Sequence, residues 1–149
     1  MVAPDFQSDL AEIADSCLAR KVRQASRVIC SAYDEALRPF GVKVSQFNLL
    51  VAVGVMGECT PTDLGLALCL EKSTVSRNVE RMVAQGWLSA AQGEPRSVLY
   101  RLSRKGKLLV QRLAPEWRAA ESKARAMLGE EATAALDRLG DSVIPKPAP

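Results

Sequence analysis

Side chains that can hydrogen-bond to nucleic acid are concentrated in one short stretch of the chain. They are Lys72, Ser73, Thr74, Ser76, Arg77, Asn78 and Arg81. An arginine can donate two hydrogen bonds to guanine, and an asparagine can pair with adenine in a similar way. Hydroxyl groups and the amides at the start of a helix suit phosphate groups. This combination predicts a surface that enters the major groove of double-stranded DNA.

The spacing of apolar residues predicts that this stretch is one amphipathic helix. At about 100° per residue, four apolar residues share one face: Val75, Val79, Met82 and Val83. Arg77 points in the opposite direction, with Ser73 and Arg81 close beside it. A merely solvated helix face would also explain these charges. That alternative does not explain the helix start, the turn and the hairpin predicted around them.

A short helix is predicted just before this one, with a clear start signal. Thr60 can cap it, Pro61 suits the first helical position, and Asp63 can bond back to the cap amide and meets the positive end of the helix dipole. Thr60 and Thr62 lie at the start of this helix, and we include both among the predicted DNA contacts.

Two short helices joined by a tight turn form a helix-turn-helix. Ser73 or Glu71 can cap the second helix, and Gly86 supplies a left-handed stop at its end. Residues 87–90 and 98–102 read as two strands of a hairpin around a polar loop at residues 91–97. The pair of helices with this hairpin predicts a winged helix-turn-helix.

The hairpin loop offers a second contact with DNA. We predict that Arg96 reaches an adjacent minor groove or its phosphates, and that Lys105 supports the contact with the DNA backbone. Arg96 could equally be a charge at the hairpin tip or form a salt bridge with Glu94.

Composition narrows the function further. The net charge is only +3, but residues 71–107 carry eight basic and three acidic side chains, so this segment contributes +5 and the remainder −2. A local basic stretch is typical of a protein that binds phosphate backbones. The chain has no histidine, the commonest general base, and its four cysteines form no C-x-x-C pair. We therefore expect no enzyme activity, cofactor or metal site.

Long helices are predicted on both sides of the DNA-binding lobe of residues 45–102. They cover residues 9–38 and 103–144, and their apolar stripes exceed what the lobe can cover, which predicts packing on a second copy. Ser45 is expected to cap the helix at residues 45–56, and Ser103 the last long helix. Pro115 is expected to kink or split that helix near residues 110–112, and Gly129 to separate a final short helix.

The predicted fold is therefore mainly α: one domain of residues 1–149, with a winged helix-turn-helix lobe and long N- and C-terminal dimerisation helices. No apolar run approaches the roughly 18–20 residues that span a bilayer. Asp5 and Asp9 lie where a signal peptide would be basic and then apolar. We expect a cytoplasmic protein with no membrane partner.

Residues 61–81, with the sequence PTDLGLALCLEKSTVSRNVER, followed by GWL and VLYRLSRKG, resemble the MarR family of transcriptional regulators. The resemblance implies a homodimer that binds a pseudo-palindromic operator as a repressor and is released by a small ligand or by cysteine oxidation. It also implies a ligand pocket between the helices predicted at residues 9–38, 45–56 and 103–144. One difference concerns the wing: the loop reads QGEPR, and Gly93 stands where family members often carry an arginine.

Cys17 lies near the position at which redox-sensing members of that family carry a reactive cysteine, about two residues out of register. Arg20 and Lys21 would favour its thiolate. The alternative is a small buried helix residue, and the other three cysteines are expected to be packing residues. A second function also stays open, a winged-helix module that binds protein or RNA without operator binding.

Overall fold

Helices make up most of the computed structural model, which describes residues 5–94 and 97–142. In chain order its elements are α1 (Phe6–Ser16), α2 (Leu18–Leu37), a 3₁₀ turn (Arg38–Phe40), α3 (Val44–Met56), α4 (Pro61–Leu68), α5 (Lys72–Ala84), β1 (Leu88–Gly93), β2 (Ser97–Leu102) and α6 (Arg104–Ser142). The two strands pair antiparallel. The predicted fold class, a mainly α winged helix-turn-helix with long terminal helices, is confirmed.

The core lies beneath the helix-turn-helix and is built around α3. Five side chains of this helix are buried: Val44, Phe47, Leu49, Leu50 and Val53. Leu64 of α4, Leu88 of β1 and Leu113 of α6 join the same cluster. Each fully buried side chain of this size stabilises the fold by about 1.5–3 kcal/mol relative to exposure.

The start of α3 differs from the sequence prediction. Its cap residue is Lys43 and not Ser45. The Asp34 carboxylate of α2 accepts a hydrogen bond from the Val44 amide (2.7 Å), and the Gln46 side chain accepts one from the Lys43 amide (3.0 Å). A carboxylate from another helix therefore satisfies an orphan amide, which a local capping rule does not detect.

The single helix predicted at residues 9–38 is two helices. The first begins at Phe6, because the Asp5 carboxylate accepts a bond from the Gln7 amide (3.2 Å) and caps it. Cys17 is extended (ψ 103°) and separates α1 from α2, although no proline or glycine stands there. The Arg20 guanidinium donates to the Ala14 carbonyl and so satisfies part of the C-terminal end of α1.

The C-terminal helix is interrupted at Gly129 and not at Pro115. As predicted, Ser103 caps its start by accepting a bond from the Gly106 amide (3.0 Å). The helix continues through Pro115, whose missing bond partner, the Gln111 carbonyl, belongs to an exposed residue that water can reach. Gly129 has a positive φ of 80° and breaks the helix.

The part of α6 after Gly129 folds back along the part before it. Arg125 pairs with Asp137, twelve residues further on, at 3.3 Å. In a straight helix these two positions would lie about 18 Å apart along the axis. The two side chains meet because the chain turns at Gly129.

Polar contacts join α2 to α6. The Tyr33 hydroxyl donates to Glu121 (2.5 Å), whose other oxygen accepts from Arg125 (2.5 Å). Burial and the bond to Glu121 raise the pKa of Tyr33 to about 12. The bond from Tyr33 lowers the pKa of Glu121, with Arg125 adding to the effect. Lys123 pairs with Glu35 at 3.7 Å.

Within the described residues, no single helix is long and apolar enough to cross a membrane. Only the pair of segments Leu18–Phe40 and Val44–Met56 reaches that length and composition together, across a bend of 80°.

Replacing Glu121 should weaken the α2–α6 contact. Since the folded state lowers the pKa of Glu121, its stabilising contribution is present above the ordinary value of 4.5 and is lost as the pH falls through the lowered one. Glu121→Gln should therefore reduce the free energy of unfolding by about 1 kcal/mol at neutral pH, and this difference should shrink in acid. Urea unfolding across the acid range measures it, with the exposed Glu116→Gln as control. Equal effects of the two substitutions would contradict the prediction.

Candidate nucleic-acid interface

The predicted cap of α4 is present. The Thr60 hydroxyl accepts a bond from the Asp63 amide (3.2 Å), and the Asp63 carboxylate accepts bonds from the Thr60 amide (2.8 Å) and hydroxyl (2.7 Å). These bonds lower the pKa of Asp63. Pro61 occupies the first helical position and Thr62 is exposed beside it. The Thr60 hydroxyl is therefore engaged within α4, while the Thr62 side chain faces outward.

The turn between α4 and α5 depends on one left-handed residue. Cys69 has φ 52°, and the Leu70 amide bonds to the Gly65 carbonyl (2.9 Å) to complete the turn. Of the two capping candidates for α5, Glu71 is the cap residue, through its backbone carbonyl and without a side-chain bond. Ser73 consequently lies within the helix and not at its cap.

Helix α5 has the two faces that its sequence predicts. Val75, Val79 and Met82 are buried. Arg77, Ser73 and Arg81, which are predicted to point in the opposite direction, are exposed, as are Lys72 and Glu80. Thr74, Ser76 and Asn78 are half-buried on the flanks. Val83, predicted to share the buried face, is 37% exposed, so the buried strip is narrower than expected.

Two of the polar side chains on α5 bond to their own helix. The Arg77 Nε donates to the Ser73 carbonyl (3.2 Å), and the Asn78 side-chain amide donates to the Thr74 carbonyl (2.8 Å). The Arg77 bond uses one of five N–H groups, which leaves the end of the guanidinium for a base or a phosphate. Asn78 is held closer to the helix surface.

The strands of the wing are longer than predicted, and the wing is bonded to residues 58 and 59. The strands extend to Gly93 and Ser97, which pair with each other, so residues 91–93 belong to a strand and not to the loop. At the base, the Tyr100 amide and carbonyl bond to the backbone of Cys59 (2.8 and 3.1 Å), and Arg101 pairs with Glu58. Arg96, the predicted wing contact, lies outside the described residues.

Lys105 makes a contact that the sequence does not predict. Its ammonium donates to the Gln85 carbonyl at the end of α5 (2.8 Å). This contact between helices uses one of the three N–H groups of the exposed ammonium, and the support of the DNA backbone by Lys105 stays a prediction.

The cysteines differ in their surroundings. Cys59 is buried, and burial raises the pKa of its thiol to about 11, which keeps it protonated. Cys30 is half-buried, with its sulfur 3.9 Å from the Ser26 hydroxyl. Cys69 is exposed, so its prediction as a packing residue is wrong. Cys17 is half-buried at the break between α1 and α2. Among residues 5–94 and 97–142, no three potential metal ligands converge.

Two clefts flank the Trp87 side chain. One of about 550 Å³ lies against α6 and is lined by Trp87, Arg104, Lys105, Leu108, Leu109 and Arg112. The other, of about 450 Å³, lies between the 3₁₀ turn and the end of α5, and includes Phe40 and Arg81. The Arg112 guanidinium stands over the Phe40 ring, 5.6 Å from its centre, where a cation–π contact is favourable.

Comparison with known proteins agrees with this geometry. The model of the MarR family matches residues 40–96, which include α3, α4, α5 and β1. YwoH, an uncharacterized HTH-type transcriptional regulator of Bacillus subtilis, is 32% identical over 77 residues. That match covers 52% of this chain and 56% of the relative, so the chain spans just over half of its length.

Solved structures extend the likeness to the whole fold. A MarR mutant from Escherichia coli in complex with operator DNA has a TM-score of 0.78 at 20% identity, over 90% of this chain and 98% of that chain. The transcriptional regulator MOSR of M. tuberculosis, in complex with DNA, has a TM-score of 0.75 at 28% identity, over 85% and 96%. YwoH and MOSR are both named as transcriptional regulators. Residues 40–96 thus match the MarR family model, and the whole described fold is similar to the winged helix fold of solved MarR-type regulators.

Proposed function

We propose that this protein binds double-stranded DNA in a sequence-specific manner and represses transcription. The observation that carries the proposal is the outward face of α5, on which Ser73, Arg77 and Arg81 are exposed together opposite a buried apolar strip. Arginine reads guanine in the major groove and short hydroxyls suit phosphates. A protein with this function acts in the cytoplasm, the compartment of its operator DNA.

We propose further that the active form is a homodimer on a pseudo-palindromic operator. Large apolar side chains are exposed along α1, on α2 and beyond Gly129: Phe6, Leu10, Ile13, Leu18, Val22, Leu136 and Leu139. The chain exposes 10709 Å², whereas a monomer of 16.1 kDa is expected to expose about 7,400 Å². A second copy would cover this surface, and two α5 helices could then meet successive major grooves about 34 Å apart.

The alternative is a winged-helix module that binds protein or RNA. The two functions differ in their response to salt, because a protein that neutralises several phosphates loses duplex affinity steeply as salt rises. Negligible affinity for duplex DNA at low salt would favour the alternative.

Loss of the Arg77 side chain should weaken operator binding. After an operator has been selected from random duplex DNA, Arg77→Ala should lower the affinity for it by about 1–3 kcal/mol. Titration at fixed salt measures the change. Arg118→Ala removes the same charge from an exposed position on α6 and should change the affinity by less than about 0.5 kcal/mol. Unchanged operator binding by a folded Arg77→Ala protein would refute the role of this residue.

We propose two routes by which the repressor could leave its operator, and the first is oxidation of Cys17. This thiol lies at the only break between α1 and α2, close to the Arg20 side chain that closes α1. Oxidation to a sulfenic acid adds a polar oxygen at that break. A changed angle of α1 would then alter the surface that a second copy covers.

The test is operator binding before and after peroxide. Treatment should lower the affinity of the wild-type protein by about tenfold or more and leave Cys17→Ser unchanged. Cys69→Ser is the matched control, because Cys69 is the exposed cysteine of the lobe and its loss should preserve the wild-type response. An identical response in wild type and Cys17→Ser would exclude Cys17 as the sensor.

The second route is a small effector in the clefts beside Trp87. Their lining combines two aromatic rings with Arg104, Lys105 and Arg112, and none of the lining residues is acidic. Such a site suits a planar aromatic carboxylate, which can contact the rings and pair with a guanidinium. An occupant there would press against the end of α5.

Fluorescence of Trp87 can report on this site. The chain has two tryptophans, so Trp117→Phe leaves Trp87 alone. Benzoate should quench it saturably, Arg112→Gln should weaken binding about tenfold, and benzyl alcohol, which has no charge, should bind far more weakly. Quenching that does not saturate, or that is the same in Arg112→Gln, would refute this site.

A further inference from the structure

The last turn of α5 is complete without help from other elements. The Gly86 amide bonds to the Val83 carbonyl and the Trp87 amide to the Met82 carbonyl, both at 2.9 Å. This is the Schellman arrangement, in which a left-handed glycine closes a helix end. Gly86 has the required positive φ of 73°. The turn uses the carbonyls of Met82 and Val83, so the carbonyls that follow them are open to bonds from another element.

Three consecutive carbonyls beyond this turn all accept hydrogen bonds from the start of α6. The Lys105 ammonium donates to Gln85 (2.8 Å) and the Ser103 hydroxyl donates to Gly86 (2.6 Å). The Ser103 amide donates to Trp87 (3.0 Å). The end of α5 is thus attached to α6 at three successive backbone positions, which limits rotation about any one of them.

The two segments also lie too close together for a side chain between them. A Cβ at Gly106 would overlap the Trp87 carbonyl oxygen. The joint is therefore a contact of backbone with backbone, and close packing of this kind resists small shifts.

Helix α6 carries this attachment away from α5. It is bonded to α2 through Tyr33 and Glu121 and through Lys123 and Glu35. Helix α2, which carries some of the exposed apolar side chains, is therefore connected to α5 through the part of α6 that precedes Gly129.

We propose that Lys105 and Ser103 are positioning residues that fix the angle between α5 and α6 and thereby set the distance between the two α5 helices of the dimer. This inference rests on the proposed function, since it concerns the spacing of operator half-sites. Lys105 acts through α5, because its ammonium bonds to a carbonyl of that helix. Its loss relaxes the preference of the protein for one half-site spacing.

The experiment compares Lys105→Met with Lys107→Met. Both remove one lysine from the first turn of α6, and the Lys107 side chain is exposed. Affinities are measured for the selected operator and for versions with one base pair fewer or more between the half-sites. Lys105→Met should lower affinity for the selected operator by about three- to tenfold. Its affinity for the altered operators should differ from that of the wild-type protein by less than about twofold. Lys105→Arg, which keeps the donor, should restore the preference.

A second measurement does not depend on DNA. Hydrogen exchange at the amides of Gln85, Gly86 and Trp87 should accelerate by about threefold or more in Lys105→Met and stay unchanged in Lys107→Met. If the wild-type protein binds no duplex DNA, the proposed function fails, and the exchange rates still decide whether Lys105 holds α5.

Two results would overturn the inference. One is an equal loss of affinity at every spacing with a shallower dependence on salt, which would make Lys105 a phosphate contact. The other is an unchanged spacing preference with unchanged exchange rates, which would show that the Schellman turn alone positions α5.

Discussion

The burial of three side chains of α5 determines how the rest of this surface is arranged. Val75, Val79 and Met82 occupy the core with Leu64 of α4 and Leu88 of β1. Because a helix is rigid over a few turns, this burial decides the direction of every other α5 side chain. The polar side chains on the outer face point outward because the opposite face is buried, without needing a bonding partner inside the protein. The surface proposed to face DNA is thus a consequence of the core.

The features that could be predicted from the sequence are those decided by neighbouring residues. The cap at Thr60 depends on a residue three positions away, and the faces of α5 depend on a helical period within one segment. The start of α3 could not be predicted, since Asp34 reaches it from another helix. The break at Cys17 has no local sequence signal. Pro115 is a local signal for a break, but the helix continues because water can reach the Gln111 carbonyl that loses its bond.

The candidate site shows the same division. The outward direction of Arg77 follows from periodicity alone. The role of Lys105 depends on where the start of α6 lies relative to the end of α5, which is a tertiary arrangement. The sequence predicts a phosphate contact for this basic residue but does not predict the bond of its ammonium to the Gln85 carbonyl. Charge in a sequence identifies the kind of partner, and the fold decides which partner is reached.

Gly106 shows how the joint constrains the evolution of the chain. A glycine inside the first turn of a helix costs about 1 kcal/mol relative to alanine, and random substitution would readily remove it. Here every alternative side chain would collide with the Trp87 carbonyl. Glycine at this position therefore lowers the stability of the helix but permits the close contact with Trp87. A serine followed three residues later by glycine, after a glycine–tryptophan pair, is therefore a signature by which the same joint can be sought in other sequences. Its presence would identify chains in which the end of α5 and the start of α6 meet in the same way, whatever side chains the outer face of α5 carries.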